Sequence, residues 1–295
     1  MPRFRSPRVP FAPVVAAALL SGAAATGRPI AGVQVDGGAP DGADPSPAGL
    51  ALSADEAEAF LRAARVVSRE EIGSGTTRPE RLTLSDGTRT LRAAWKTVDE
   101  RRMGLARMER GGYEFDFRDS WKHEVAAYEL SRLLGLDFVP PTVERGIDGR
   151  RGSVQMWVEQ AVTEKERQRR GMAPDHLPRW NNQMHCVRLF HQLIYNTDFQ
   201  NIENILVDPA FRVYVIDSSR AFRIQQDLLA PDDLVCFSRG ILERLRRLDR
   251  ETLEERLGRW LDGRQLEALL ARRDRIQAVV DARIAEGGPG KVLFH

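Results

Sequence analysis

The 295-residue chain is short of several things, and each shortage narrows what it can be. Two cysteines, Cys186 and Cys236, cannot build a disulfide framework, and no paired Cys or Cys/His spacing suggests zinc. An excess of one charge is missing as well. With 44 Lys and Arg against 42 Asp and Glu, the formal net charge of +2 supplies no basic field for coating nucleic acid. No apolar run is long enough for a transmembrane segment. Disorder along the whole chain is excluded, because 42% of residues are hydrophobic. The scarcest cation is lysine. Only Lys96, Lys122, Lys165 and Lys291 occur, so arginine is the default positive charge and each lysine needs a separate reason.

The length allows one or two domains. Arg3, Arg5 and Arg8 precede an apolar stretch over residues 14–20 and then the small residues Ala23, Ala24 and Ala25. That layout describes a secretory signal peptide over 1–25, which predicts an exported or periplasmic protein if the leader is genuine and a cytoplasmic one otherwise. Residues 26–50, rich in Gly, Ala, Pro and Asp, read as a disordered linker. The folded part is expected to run from 51 to 295, without internal repeats.

Ser53 and Glu56 form a capping box that opens a short helix. Strands follow over 65–72 and 81–84, separated by the turn Gly73-Ser74-Gly75, whose backbone amides can cover a polyphosphate. Asp86-Gly87 predicts a hairpin into a strand through Trp95 and Lys96. Alternation places Lys96 on a face with Ala94 and Val98, where an ammonium must either snorkel to water or meet an anion. After a polar, mobile-looking stretch (100–117), Asp119 or Ser120 caps a helix ending at Gly135. Glu124 adjoins the apolar stripe of that helix and is placed to reach Lys96. Strands over 142–147 and 153–158 complete five strands, with the one helix inserted before the fourth.

Beyond Glu159 the chain becomes mainly helical. A helix over about 183–195 ends in Asn196-Thr197-Asp198, a short hairpin spans 205–217, and amphipathic helices fill the remainder. Asp217 closes a strongly apolar strand, where a carboxylate protrudes into a cleft. Asn204 adds a neutral oxygen, so the pair offers hard ligands for Mg²⁺ or Mn²⁺. Asp198, just past a helix end, can orient or deprotonate a hydroxyl. Lys96 neutralises phosphate charge and Glu124 holds it, so these five residues suffice for phosphoryl transfer, which is mostly positioning and charge stabilisation.

Ala94-Trp95-Lys96, His123-Glu124-Val125-Ala126-Ala127-Tyr128, Asn196-Thr197-Asp198 with Asn204-Ile205-Leu206-Val207, and Ile216-Asp217-Ser218 together resemble the protein-kinase-like superfamily. The likeness is to its atypical branch, the phosphatidylinositol-kinase-related and HipA-type kinases and uncharacterised bacterial relatives. It implies an α+β, bilobal fold: a five-stranded N-lobe sheet plus one helix (about 51–159), then a mainly helical C-lobe (about 160–295). It also implies an ATP- and divalent-metal-dependent kinase with Lys96, Glu124 and Asp198 catalytic and Asn204 and Asp217 on the metal. Nucleotide would lie against Lys96, Gly73, Gly75 and the backbone of Trp157, Val158 and Glu159. The acceptor is an unidentified hydroxyl of a protein, lipid or small molecule, and the expected state is a monomer with no nucleic-acid partner.

Three departures from the pattern stand out. Asn204 lies six residues after Asp198 instead of five, leaving Asn201 or Glu203 as alternative ligands. Phe199 replaces the basic residue usual after the aspartate, and no glycine follows Asp217. The same residues also suit transfer of AMP, or a catalytically silent module that binds nucleotide or a partner.

Overall fold

In the computed structural model, residues 52–72, 79–107 and 113–295 are described. The expected leader and linker, and the turn bearing Gly73 and Gly75, lie outside the described residues.

Helix α1 (Ala54–Ala63) starts at Ser53, where the expected capping box with Glu56 forms. Strands β1 (Arg65–Glu71), β2 (Glu80–Ser85) and β3 (Thr90–Lys96) follow. Five more elements then complete the N-terminal half up to Met156: β4 (Asp99–Arg107), β5 (Tyr113–Ser120), α2 (Trp121–Leu133), β6 (Thr142–Ile147) and β7 (Arg150–Met156). The order β1-β2-β3-β7-β6 is antiparallel throughout. Leu82, Leu84, Ala93, Trp95, Val143 and Val154 pack with Phe60 and Leu61 of α1 into one core, because strand alternation sends these side chains to a single face. Lys96, next to Trp95, therefore projects from the opposite face. Its register opposite Ser153 needs a glycine next door, since a Cβ at Gly152 would stand 2.3 Å from the Lys96 carbonyl oxygen and 2.7 Å from Trp95 Nε1.

The expected mobile stretch at 100–117 is instead largely the hairpin β4–β5. Its signal is weak in sequence because a register shift between Arg102 and Leu105 breaks the alternation, and because distant charges hold it. Glu114 pairs with Arg220 at 2.7 Å and also with Arg223, while Arg118 bridges Asp116 at 3.1 Å and Asp262 at 2.9 Å. Its other side leaves Met103, Leu105, Tyr113 and Phe115 exposed.

The C-terminal half contains β8 (Val162–Thr163), α3 (Glu164–Arg169), α4 (Leu177–Leu193), the hairpin β9 (Ile205–Val207) and β10 (Val213–Val215), and helices α5 (Arg239–Arg247), α6 (Arg250–Leu257) and α7 (Gly263–Gly287). Helix α4 begins six residues before the expected start, because His176 caps it and Pro178 falls in the first turn, where a missing N–H costs nothing. Phe190, Leu193, Val215, Leu253, Leu269 and Ile276 lie in the second core, which also takes in Ala126 and Leu130 of α2 and Leu134 at its C-terminal end. Among the described residues no helix is long and apolar enough to cross a membrane.

Candidate active site

Lys96 is the centre of the site. Its Nζ donates to Glu124 Oε1 at 2.5 Å and to Asp217 Oδ1 at 2.9 Å, joining a strand, a helix and the loop after β10. Glu124 is in the first turn of α2, where Ser120 caps the helix and the dipole favours an acid. Its second oxygen accepts the Ser218 amide at 3.1 Å. Burial alone would depress the Lys96 ammonium, yet Asp217 and Glu124 reverse that and hold it above its ordinary value. Lys96 in turn keeps the Asp217 carboxyl below the usual range, whereas burial pushes that of Glu124 up. Asp217 takes φ 59°, a left-handed backbone that aspartate adopts more readily than most residues.

The segment after α4 supplies the other residues. Tyr195 (φ 49°) ends the helix, and Asn196 Oδ1 accepts the Asp198 amide at 3.0 Å. Asp198 Oδ2 accepts from Asn204 Nδ2 at 2.9 Å and Asn201 Nδ2 at 3.1 Å. Residues 202–204 form one 3₁₀ turn capped by Asn201, and this turn absorbs the extra residue between Asp198 and Asn204. Asn204 is buried with its amide nitrogen on Asp198, leaving its oxygen for another partner. Glu203 points away, with its carboxylate 3.0 Å from Lys165 Nζ, and Asn201 Oδ1 already accepts the Glu203 amide at 3.2 Å.

The segment leaving the sheet is held by Arg92. The Trp157 amide donates to the Arg92 carbonyl at 3.0 Å, and the Arg92 guanidinium lies 5.6 Å from the Trp157 ring while Nε donates to Glu159 at 2.9 Å. Trp157 and Glu159 are thus already engaged, and Val158 between them is buried. A cavity of about 460 Å³ lined by Tyr128, Arg132, Asp137, Arg179, Arg212 and Tyr214 contains none of these residues.

Sequence reasoning missed three contributors, Asp119, His123 and Arg272, although it offered Ser120 as one of two caps for α2. Ser120 is the cap of α2, which frees Asp119 to face the cluster: Asp119 Oδ1 is buried without a hydrogen-bond partner. Burial raises the Asp119 carboxyl above its ordinary range, with Asp217 adding to the rise. His123, one residue from Glu124, binds the Ser219 carbonyl through Nδ1 at 2.7 Å, so that nitrogen carries the proton and Nε2 accepts from Gln265 at 3.1 Å. Arg272, fully buried, donates to the carbonyls of Leu193 at 2.8 Å and Arg223 at 3.0 Å. It ties the end of α4 to the segment after Asp217. The one available signal for Asp119 was that two adjacent cap formers, Asp119 and Ser120, compete for a single cap position; the others arise from packing.

Among the described residues no three His, Cys, Asp or Glu side chains form a ready-made metal cage. The donors present are nevertheless hard oxygens, and the orphaned Asp119 oxygen is a buried acceptor awaiting a cation, so the residues fit Mg²⁺ or Mn²⁺ completed by phosphate oxygens.

No family model and no curated protein sequence matches the chain. Solved structures do. A structure of the Golgi casein kinase aligns with a TM-score of 0.61 at 15% identity, covering 81% of this chain and 79% of that one. The Golgi casein kinase with Mn/ADP bound aligns at 0.56 and 14% identity, covering 81% and 78%. Hydra Fam20 with sugar aligns at 0.58 and 16%, covering 80% and 90%. At such identities the likeness establishes the fold, which is kinase-like and bilobal: a five-stranded antiparallel sheet with its helix, then a helical region.

Proposed function

We propose that the chain is an ATP- and divalent-metal-dependent phosphotransferase acting on a hydroxyl. The observation that carries this is the convergence of Lys96, Glu124 and Asp217 from three separate elements, 28 and 121 residues apart along the chain, with Asp198 and Asn204 linked to each other on the adjoining loop. Lys96 holds phosphate oxygens as a compact ammonium, which the planar guanidinium of arginine does not replace. Glu124 keeps that ammonium charged and aimed. Asp198 accepts the proton of the attacking hydroxyl, and the amides of Asn201 and Asn204 orient its carboxylate. Asp217 and Asn204 would hold the divalent cation, which would supply neutralisation of the phosphate charge. The bound Mn/ADP in the Golgi casein kinase supports nucleotide and metal use on this fold. That enzyme's name places a kinase of this fold in the Golgi, which supports the exported reading of residues 1–25.

The motif likeness to phosphatidylinositol-kinase-related and HipA-type proteins leaves lipid, protein and small-molecule hydroxyls as acceptors. Transfer of AMP from an inverted nucleotide and a silent binding module use the same residues. The Trp157 amide, on the segment where adenine was expected, already donates to the Arg92 carbonyl, and that is the observation that favours the silent reading. The test is calorimetry of ATP with Mg²⁺ or Mn²⁺, comparing wild type with Asp217→Ala. Wild-type binding that Asp217→Ala loses is expected, and no wild-type binding with either metal overturns both transferase readings. Labelled ATP then separates phosphate from AMP transfer.

A further inference from the structure

Among the described residues the β4–β5 hairpin is a two-stranded sheet of its own, and its two faces differ sharply. On the inner face Ala106 stands opposite Glu114; Ala106 is buried, and Glu114 pairs with Arg220 and Arg223. Alternation sends the flanking pairs, Leu105 opposite Phe115 and Arg107 opposite Tyr113, to the outer face. There Leu105 is 70%, Tyr113 68% and Phe115 57% exposed, and Met103, at 79%, extends the row. Of the seven large apolar side chains exposed among the described residues, these four share one hairpin. Single exposed apolar residues need no explanation, but a contiguous group marks a contact surface.

Charge is divided between the faces in the same way. Both carboxylates of the outer half of β5 are turned inward, Glu114 onto Arg220 and Arg223, and Asp116 onto Arg101 and Arg118. Arg107 is exposed beside Tyr113, with no ion pair among the described residues, so the outer face combines apolar groups with a cation and no carboxylate. The four apolar residues expose roughly 500 Å² together, short of the about 800 Å² per partner that a stable protein interface buries. A second copy of the chain therefore gains too little from this face. A bilayer needs no matching shape: apolar side chains enter the headgroup boundary, tyrosine is favoured at that depth, and arginine meets anionic headgroups.

We propose that the outer face of the β4–β5 hairpin docks on an anionic lipid bilayer, with Met103, Leu105, Tyr113 and Phe115 in the headgroup boundary and Arg107 on the headgroup anions. Through Glu114 the inner face grips Arg220 and Arg223, so the bilayer contact is tied to the segment that follows Asp217. The docking is independent of phosphoryl transfer and holds equally for a silent module.

Co-sedimentation of the full chain with vesicles tests this, comparing phosphatidylcholine alone with a mixture containing about one-third phosphatidylserine. Wild type should bind the mixed vesicles more tightly, and added salt should weaken that binding. Leu105→Ser/Phe115→Ser should bind them about tenfold or more weakly. Arg107→Gln should lose affinity for the mixed vesicles and keep whatever affinity wild type has for phosphatidylcholine alone. Thermal melts of the variants should match wild type, since the altered side chains are exposed. If the double variant melts lower, Met103→Ser, at the most exposed of the four positions, decides the matter: binding equal to wild type overturns the docking face. Absence of wild-type binding to the mixed vesicles overturns it as well. Equal binding by wild type and a normally folded double variant overturns it too, by moving the lipid contact elsewhere in the chain. A lipid-free wild type that sediments as a dimer, with a monomeric double variant, assigns the face to a second copy and overturns the bilayer.

Discussion

Replacing Lys96 by methionine separates the stability role of the buried triad from its chemical role. Glu124 has a side chain only 3% exposed, and its charge is offset by Lys96 at 2.5 Å and the Ser218 amide at 3.1 Å. Methionine keeps most of the volume and removes the ammonium, so the carboxylate remains buried with one donor. Breaking a buried ion pair from one side costs about 3–5 kcal/mol. For a folded part of this size, that lowers Tm by roughly 6–20 °C. Asp217 contributes little to the loss because its side chain is 46% exposed and water can replace the contact. The double variant Lys96→Met/Glu124→Gln has no uncompensated charge and should recover more than half of the lost stability. Urea unfolding of the four proteins at pH 7 measures this as a double-mutant cycle. Both variants should lack nucleotide binding. The reasoning is refuted if Lys96→Met is within about 1 kcal/mol of wild type, or if the two substitutions add.

Other outcomes follow from the same geometry. Asp198→Asn keeps an acceptor for the amides of Asn201 and Asn204 but loses the base, so labelled-phosphate transfer should fall by about 10²–10⁴ while nucleotide affinity by calorimetry stays near wild type. Gly152→Ala places a Cβ 2.3 Å from a backbone oxygen; melts should show destabilisation of about 1–3 kcal/mol, with weakened nucleotide binding because the displaced atom belongs to Lys96. Burial pushes the His191 imidazole down to about 4, and Asn196 donates to its Nδ1 at 3.2 Å. Since the folded value lies below the unfolded one, near 6.5, the neutral ring's contribution is complete above about pH 6.5 and is lost as pH falls toward 4. Urea midpoints should therefore decline between pH 7 and 5, and His191→Gln should flatten that decline; an unchanged slope counts against the assignment.

Much of the molecule was legible because its signals are local. Ser53 with Glu56, Asp86-Gly87, and the alternation through Trp95 and Lys96 each specify an element within a few residues, and all three form as expected. The scarcity of lysine singled out Lys96 before any contact was known. The β4–β5 hairpin was illegible because the charges that hold it, Arg220, Arg223 and Asp262, are about 100 or more residues away and its register is interrupted. The start of α4 was hidden by a proline that reads as a breaker unless its place in the first turn is known.

By itself the sequence determined which residues can do chemistry and on what kind of element each sits. Periodicity and capping act between near neighbours and need no fold to be read. Tertiary structure alone decided how those residues are shared out. It put Lys96 on two carboxylates at once, chose Asn204 over Glu203 beside Asp198, and left one oxygen of Asp119 buried without a partner. Burial and the competition for a limited number of donors make those choices, and neither exists until distant segments have packed together.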